Sequence, residues 1–411
     1  MTHARTRLRK MAAAAAAAGM LALPIAGVTS CGGGGPAPHP TSTSASPGEV
    51  RQITPDVARQ LDIVIQRVMQ EANVPGVTVG LWTPGQGTYV RSFGVADKSN
   101  GQAMSPDLYM RIGSETKTFT VTALLELVDR HKVGLDDPIG KYVDGVPNGN
   151  KITLRELAAM RSGLFNYSED ESFYGTLTSD PLRPFTPQEL LGYAFKHPVL
   201  FPPGKKFKYS NTNLILLGLV IEKATGQRLT DFLQKNILAP AELNHTLLPV
   251  DATFPAPHAQ GYTDQTASGD VEDAADWNPS WAWAAGAMIS GLQDLRVWAK
   301  TVATGKLPDG HDLISPSLQK QRLTMPPTPV PGIGYGLGLF GVQGWLGHNG
   351  SLPGYESLAV YLPSGKATLV VLLNTDINHE GQEPSTLIGE EITKIVTPGH
   401  VFNLPAEPAA R

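Results

Sequence analysis

The sequence has 411 residues, 41% hydrophobic and 17% charged, which excludes intrinsic disorder as a description of the whole and allows two or three average domains or one large two-lobed domain. Its 33 basic residues are outnumbered by 37 acidic ones, and four of the basic ones lie in the first thirty positions, so the body lacks the basic footprint of a nucleic-acid binder. A single cysteine excludes internal disulfides and any multi-cysteine metal centre.

Residues 1–30 read as an export signal. Arg5, Arg7, Arg9 and Lys10 precede an apolar run from Met11 to Val28, and small residues lead into Cys31. Val28-Thr29-Ser30-Cys31 resembles the lipobox of bacterial lipoproteins. The resemblance implies a diacylglycerol thioether on Cys31, cleavage before it, and a protein held on the extracytoplasmic face of the cell membrane. An uncleaved anchor helix with an incidental cysteine is the alternative. Two or three acyl chains anchor stably where one does not. Residues 31–49, rich in Gly, Pro, Ser and Thr, cannot build a core and read as a flexible tether.

The folded body opens with Thr54-Pro55-Asp56, a helix cap with proline in the first turn. Val57, Leu61, Val64, Ile65 and Val68 follow at helical spacing. Val77, Val79 and Leu81 alternate as a half-buried strand, and Thr88 to Val95 returns as its hairpin partner. Ser114 opens an amphipathic helix whose stripe is Val121, Leu124, Leu125 and Val128. Residues 151–280 carry short helical patterns, among them a buried helix from Leu214 to Ala224 that ends at Gly226. Four strands are expected next, over Tyr335–Phe340, Gly341–Leu346, Ser357–Leu362 and Ala367–Leu373. Leu387, Ile388, Ile392 and Ile395 suggest a closing helix.

This order predicts an α/β (α+β) fold. An antiparallel sheet is assembled from both ends of the chain and flanked by N- and C-terminal helices, with an all-helical lobe of about residues 115–280 inserted. The domain runs over 50–396, and 397–411 is a tail.

Ser114-Glu115-Thr116-Lys117 is an S-x-x-K. On a helix its first and fourth residues share a face, so an amine can sit beside the hydroxyl. Partial burial makes that amine a proton acceptor, and the helix N-terminus favours negative charge on the serine oxygen. A second S-x-x-K, Ser317 to Lys320, lies in a polar, Pro-containing stretch without an apolar face and is a chance match. Tyr209-Ser210-Asn211 is a Y-x-N on a loop, where an extended backbone presents phenol and carboxamide together. His348-Asn349-Gly350-Ser351 follows the strand ending at Leu346, and Gly350 permits close approach of a ligand. The amides of Ser351 and Ser114 can form an oxyanion hole. Read one at a time, these are also a solvated helix turn, a packed loop tyrosine and a turn histidine.

Together and in this order, Ser114/Lys117, Tyr209/Asn211 and His348/Gly350 resemble the serine β-lactamase and penicillin-binding-protein superfamily. The variant is similar to class C β-lactamases and most like secreted actinomycete D-Ala-D-Ala carboxypeptidases. Flanking stretches agree: Met110 to Ser114, Met160 to Leu164, Phe201 to Gly204, Tyr209 to Asn213 and Gly347 to Ser351. The resemblance implies a peptidase or penicillin-binding enzyme with an acyl-enzyme on Ser114. Lys117 and Tyr209 share the base role, with no assignment between them. Asn211 orients the acyl group, and His348, Gly350 and Ser351 bind substrate. Most β-lactamases carry lysine where His348 stands. A histidine offers a weaker, pH-dependent attraction to a carboxylate, which turns the reading away from an efficient β-lactamase and toward a peptidase, with an esterase or weak β-lactamase as alternatives.

Other chemistries fit less well. An α/β-hydrolase needs G-x-S-x-G, which neither Ser114 nor Ser351 provides. His311, His348 and His379 are scattered, so no metal and no cofactor is expected. A lipoprotein that only binds cell-wall peptide stays open as a non-catalytic alternative, and the sequence leaves the oligomeric state unspecified.

Overall fold

The computed structural model describes residues 50–405. The residues expected to form an export signal and tether, Cys31 among them, lie outside the described residues, as does the end of the expected tail.

Helix α1 (Pro55–Glu71) starts where Thr54 accepts a hydrogen bond from the Val57 amide, and it buries Val57, Leu61, Ile65 and Val68. Strands β1 (Gly76–Thr83) and β2 (Gly87–Asp97) form the expected hairpin, and β3 (Gln102–Ala103) adds an edge. After the helical section come β4 (Ile333–Tyr335), β5 (Phe340–Val342), β6 (Trp345–Leu352), β7 (Tyr355–Leu362) and β8 (Ala367–Leu373). The eight strands form one antiparallel sheet in the order β3-β2-β1-β8-β7-β6-β5-β4. Val79 of β1 pairs with Val371 of β8, so the sheet is closed by strands from opposite ends of the chain.

The sheet is covered on both faces. The N-terminal helix packs with the C-terminal helix, α5 (Pro384–Val396), and α4 (Leu292–Thr304) contacts β1, β7 and β8. Consequently every residue of β1, β7 and β8 is buried. The half-buried strand expected from Val77, Val79 and Leu81 is therefore buried throughout. Thr78 escapes penalty because its hydroxyl bonds Ser92 at 2.8 Å.

Two further expectations change. The apolar run Tyr335 to Leu346 does not form the two short strands expected over 335–340 and 341–346. Turns at Gly338 (φ +76°), Gln343 (φ +50°) and Gly344 (φ +91°) cut it into β4, β5 and the start of β6. And β6 does not stop at Leu346: His348 pairs with Ala359, Gly350 with Ser357 and Ser351 with Glu356. The His348 to Ser351 segment thus lies inside a strand, held by a ladder rather than by a turn.

The remaining helices form a lobe beside β6. Helix α2 (Thr116–Asp129) and α3 (Asn211–Thr225) pack together at its centre. Helix α3 ends at Gly226 in the left-handed region (φ +68°), as the sequence suggested. Helix α2 is not amphipathic. It is buried almost all round, and the threonines on its polar side satisfy their hydroxyls internally. Thr118 bonds the Glu115 carbonyl (2.7 Å), Thr120 that of Ala284 (2.7 Å) and Thr122 that of Thr118 (2.6 Å).

Lobe and sheet meet backbone to backbone. Gly113 has φ +50°, and a Cβ there would stand 2.6 Å from the Ser351 nitrogen. A Cβ on Gly350 would stand 2.0 Å from the Ile112 carbonyl oxygen. Ser357 of β7 donates to that same carbonyl at 2.9 Å. Gly113→Ala is expected to lower stability by about 1–3 kcal/mol through a left-handed alanine, and Gly350→Ala by about 1–3 kcal/mol through overpacking alone. Urea denaturation midpoints test both, and unchanged midpoints would show that the seam can open.

Candidate active site

Ser114 sits in a tight turn (Gly113–Glu115) at the head of α2, half-buried at the lobe–sheet seam. Lys117, one turn on, is fully buried. Its Nζ donates to Ser114 Oγ at 2.8 Å and to the Ala285 carbonyl at 2.7 Å. Among the described residues no carboxylate bonds it. Burial alone pushes its amine well below the usual lysine value of 10.5. The exposed Ser317 and Lys320 have no such setting.

The Ala285 carbonyl is held by a one-turn helix, Trp283–Gly286, docked on α2. Thr120 donates to Ala284, Thr116 accepts from the Met288 amide (3.0 Å), and the Ile112 amide donates to Met288 (3.0 Å). The second anchor of Lys117 is therefore part of the wall that fixes the serine turn.

Tyr209 reaches the site from the loop before α3. Its ring centroid is 4.9 Å from Lys117 Nζ. The loop is tied to the Met160–Leu164 stretch singled out in the sequence. The Lys208 amide donates to the Met160 carbonyl (3.0 Å), Ser162 Oγ bonds Asn213 Oδ1 (2.6 Å), and Thr212 Oγ1 donates to the Phe165 carbonyl (2.7 Å). Asn211 is the first residue of α3 rather than a loop residue, and its cap Ser210 is extended (φ −151°, ψ 119°). Its Nδ2 donates to Ser168 Oγ at 3.1 Å, which aims it along the cleft wall.

His348 departs most from expectation. It is 2% exposed. Its Nδ1 lies 2.6 Å from the Asn349 carbonyl, which can only accept, so Nδ1 carries the proton. Nε2 then accepts from Tyr335 Oη at 3.1 Å. Burial, the largest cause, pushes the imidazole down to about 3. It is a neutral member of a buried layer with Tyr335 and Phe340 (centroids 5.8 and 5.3 Å), not a pH-dependent cation.

Ser114, Tyr209, Asn211, His348, Gly350 and Ser351 all line one cleft of about 500 Å³. Lys117 closes it from behind. The cleft also holds residues that no motif flagged: Tyr335, Glu169, Asp376 and Glu383. Among the described residues lining it, Lys208 is the one lysine or arginine, and its Nζ pairs with Glu169 at 2.8 Å. Glu115, between the two motif residues, is also fully buried, and burial holds its carboxyl well above the usual range.

The beta-lactamase family model matches residues 61–391. The chain belongs to the beta-lactamase family. It is a member of a serine hydrolase superfamily, and the large antiparallel sheet with flanking helices is that superfamily's fold. "Protein flp" of Staphylococcus aureus strain MW2 is 28% identical over 79% of this chain, and a D-aminopeptidase of Brucella canis is 28% identical over 77%. The match spans 64% and 60% of those two relatives. Among solved structures, the D-amino acid amidase of Ochrobactrum anthropi SV3, complexed with L-phenylalanine amide, aligns with a TM-score of 0.72 at 28% identity. That alignment covers 83% of this chain and 98% of the amidase.

The buried lysine has a stability signature. Between its depressed folded value and 10.5 the unfolded chain holds a proton that the folded chain lacks, so stability rises with pH across that window and falls toward its acid end. In Lys117→Met this contribution vanishes. The thermal midpoint should therefore climb less steeply from pH 7 to 10 in the variant than in the parent, and equal slopes would place a charged lysine in the folded protein.

Proposed function

We propose that this protein hydrolyses amides of small peptides or amino acids through an acyl-enzyme on Ser114, and that its leaving group carries no carboxylate. The observation that carries the first half is the 2.8 Å contact between Ser114 Oγ and a fully buried, carboxylate-free lysine. The neutral Lys117 amine takes the Ser114 proton as Oγ attacks the carbonyl carbon. The oxyanion is received by the amides of Ser114 and Ser351. Tyr209, beside Lys117, relays the proton to the leaving nitrogen, and the C–N bond breaks. Water then attacks the ester, giving a proton back along the same path. Asn211 orients the acyl group.

The second half rests on His348. A D-Ala-D-Ala carboxypeptidase must hold a terminal carboxylate, and here the strand offers a buried neutral imidazole while Lys208 is already paired. Similarity to a D-aminopeptidase and a D-amino acid amidase supports the amide reading and a D-configured acyl part. We also propose that Cys31 carries lipid and holds the enzyme on the outer face of the membrane.

Turnover of D-phenylalanine p-nitroanilide should vanish in Ser114→Ala and fall about 10²–10⁴-fold in Lys117→Met. Diacetyl-L-lysyl-D-alanyl-D-alanine should be a poorer substrate by about tenfold or more in kcat/KM, and the opposite order restores the carboxypeptidase. Intact-protein mass spectrometry after exposure to a penicillin should place any adduct on Ser114; an adduct elsewhere sinks the mechanism. For the anchor, Cys31→Ala should move the protein from the detergent phase to the aqueous phase on partitioning. Unchanged partitioning would favour an uncleaved helix.

A further inference from the structure

The chain does not leave the fold where α5 ends. Pro398 cannot continue a helix, and the His400 amide donates to the Thr397 carbonyl at 2.7 Å, which closes a turn. Residues 400–405 then form a strap fastened to the sheet and to α5. Trp345 Nε1 of β6 donates to the His400 carbonyl (2.8 Å), and His400 Nδ1 lies 2.9 Å from the Gln343 carbonyl. The Phe402 amide donates to Thr393 Oγ1 of α5 at 2.8 Å. Phe402 is fully buried, and its ring centroid stands 6.1 Å from that of Phe340 in β5. Just past this anchor, Leu404 and Pro405 line the cleft that holds Ser114.

These two residues extend an apolar surface already present in the cleft. Ile333 and Tyr335 sit two apart on β4, and Tyr335 pairs with Phe340 of β5, so the three side chains share one face. Phe207, from the loop before α3, packs on Tyr335 with ring centroids 5.5 Å apart. All four line the cleft together with Leu404 and Pro405. Phe207, Leu404 and Pro405 are only half-buried, so part of this surface stays open to the cleft. Apolar surface held open in a preformed cleft is covered favourably by an apolar group.

The cleft has a direction. Tyr209, which serves the leaving nitrogen, has its ring 6.3 Å from that of Tyr335 and 6.1 Å from that of His348. Phe340 in turn lies 5.3 Å from His348. The leaving group therefore belongs on the aromatic side that the strap continues. It meets no free charge there. His348 is neutral, and Lys208 is paired with Glu169. Glu383 also lines the cleft, but burial favours its neutral acid, and Asn349 Nδ2 donates to it at 2.7 Å.

We propose that Leu404 and Pro405, carried on this strap, form with Phe340 and Tyr335 a subsite for an uncharged, apolar leaving group. The amides that suit this cleft release an apolar amine. The side of the scissile bond, though not the apolar subsite itself, rests on the Ser114 reading above.

The test uses binding without turnover. In a Ser114→Ala background of the full chain, calorimetric titration at pH 7 compares three ligands: D-phenylalanine amide, D-phenylalanine 2-naphthylamide and N-(2-naphthoyl)-D-phenylalanine amide. The naphthylamide carries its ring on the leaving side and should bind about tenfold or more tighter than the plain amide. Leu404→Asn keeps the bulk and removes the apolar surface, and it should cut that preference about threefold or more. Leu404→Ala, which removes the surface by truncation, should cut it to a similar degree. The naphthoyl ligand carries its ring on the acyl side, and its affinity relative to the plain amide should change less than about twofold. Equal binding of plain amide and naphthylamide, a preference that survives both substitutions, or a larger loss for the naphthoyl ligand would overturn the subsite. No bond is broken in these titrations, so the outcome stands apart from whether Ser114 hydrolyses amides.

Discussion

A lysine without a counter-ion is the constraint around which this protein is built. Taking an ammonium out of water is costly unless it is paired or gives up its proton. Among the described residues Lys117 has a hydroxyl and one carbonyl as partners and no carboxylate. Everything nearby keeps it that way. Helix α2 is wrapped on all sides, its threonines are closed on themselves or on the Ala284 wall, and the wall is pinned to Thr116 and Ile112. The surrounding fold supplies the stability that the dry amine withdraws.

The same economy of charge runs through the rest of the cleft. Burial keeps His348 neutral, and Lys208 is paired with Glu169. Asp376 and Glu383 also line the cleft, and neither takes part in an ion pair among the described residues.

Much of this was legible in the residues. Ser114 and Lys117 share a helical face whatever surrounds them, and Gly226 and Thr54 mark helix ends by local chemistry alone. The closure of the sheet by strands from both ends was also readable, because the apolar alternation around Val77 and the run Ala367 to Leu373 flank a section with helical spacing. What escaped depends on contacts between distant segments. Alternation at Val77 to Leu81 implies one wet face, and only helices on both sides of the sheet remove it. The segment from His348 to Ser351 is expected just beyond a strand ending at Leu346, whereas pairing with β7 carries the strand through it. Tyr335, Asp376 and Glu383 belong to no local motif, and they line a cleft that exists only after folding.

The pairing of β1 with β8 has a consequence in time. Strand β1 has no inner neighbour until residue 373 has left the ribosome, and Ser351, whose amide abuts the serine turn, arrives scarcely earlier. Contacts this distant in the chain form late and slowly. A chain that stops short of β6 thus carries Ser114 and Lys117 but neither the strand that abuts the serine turn nor the one that completes the sheet.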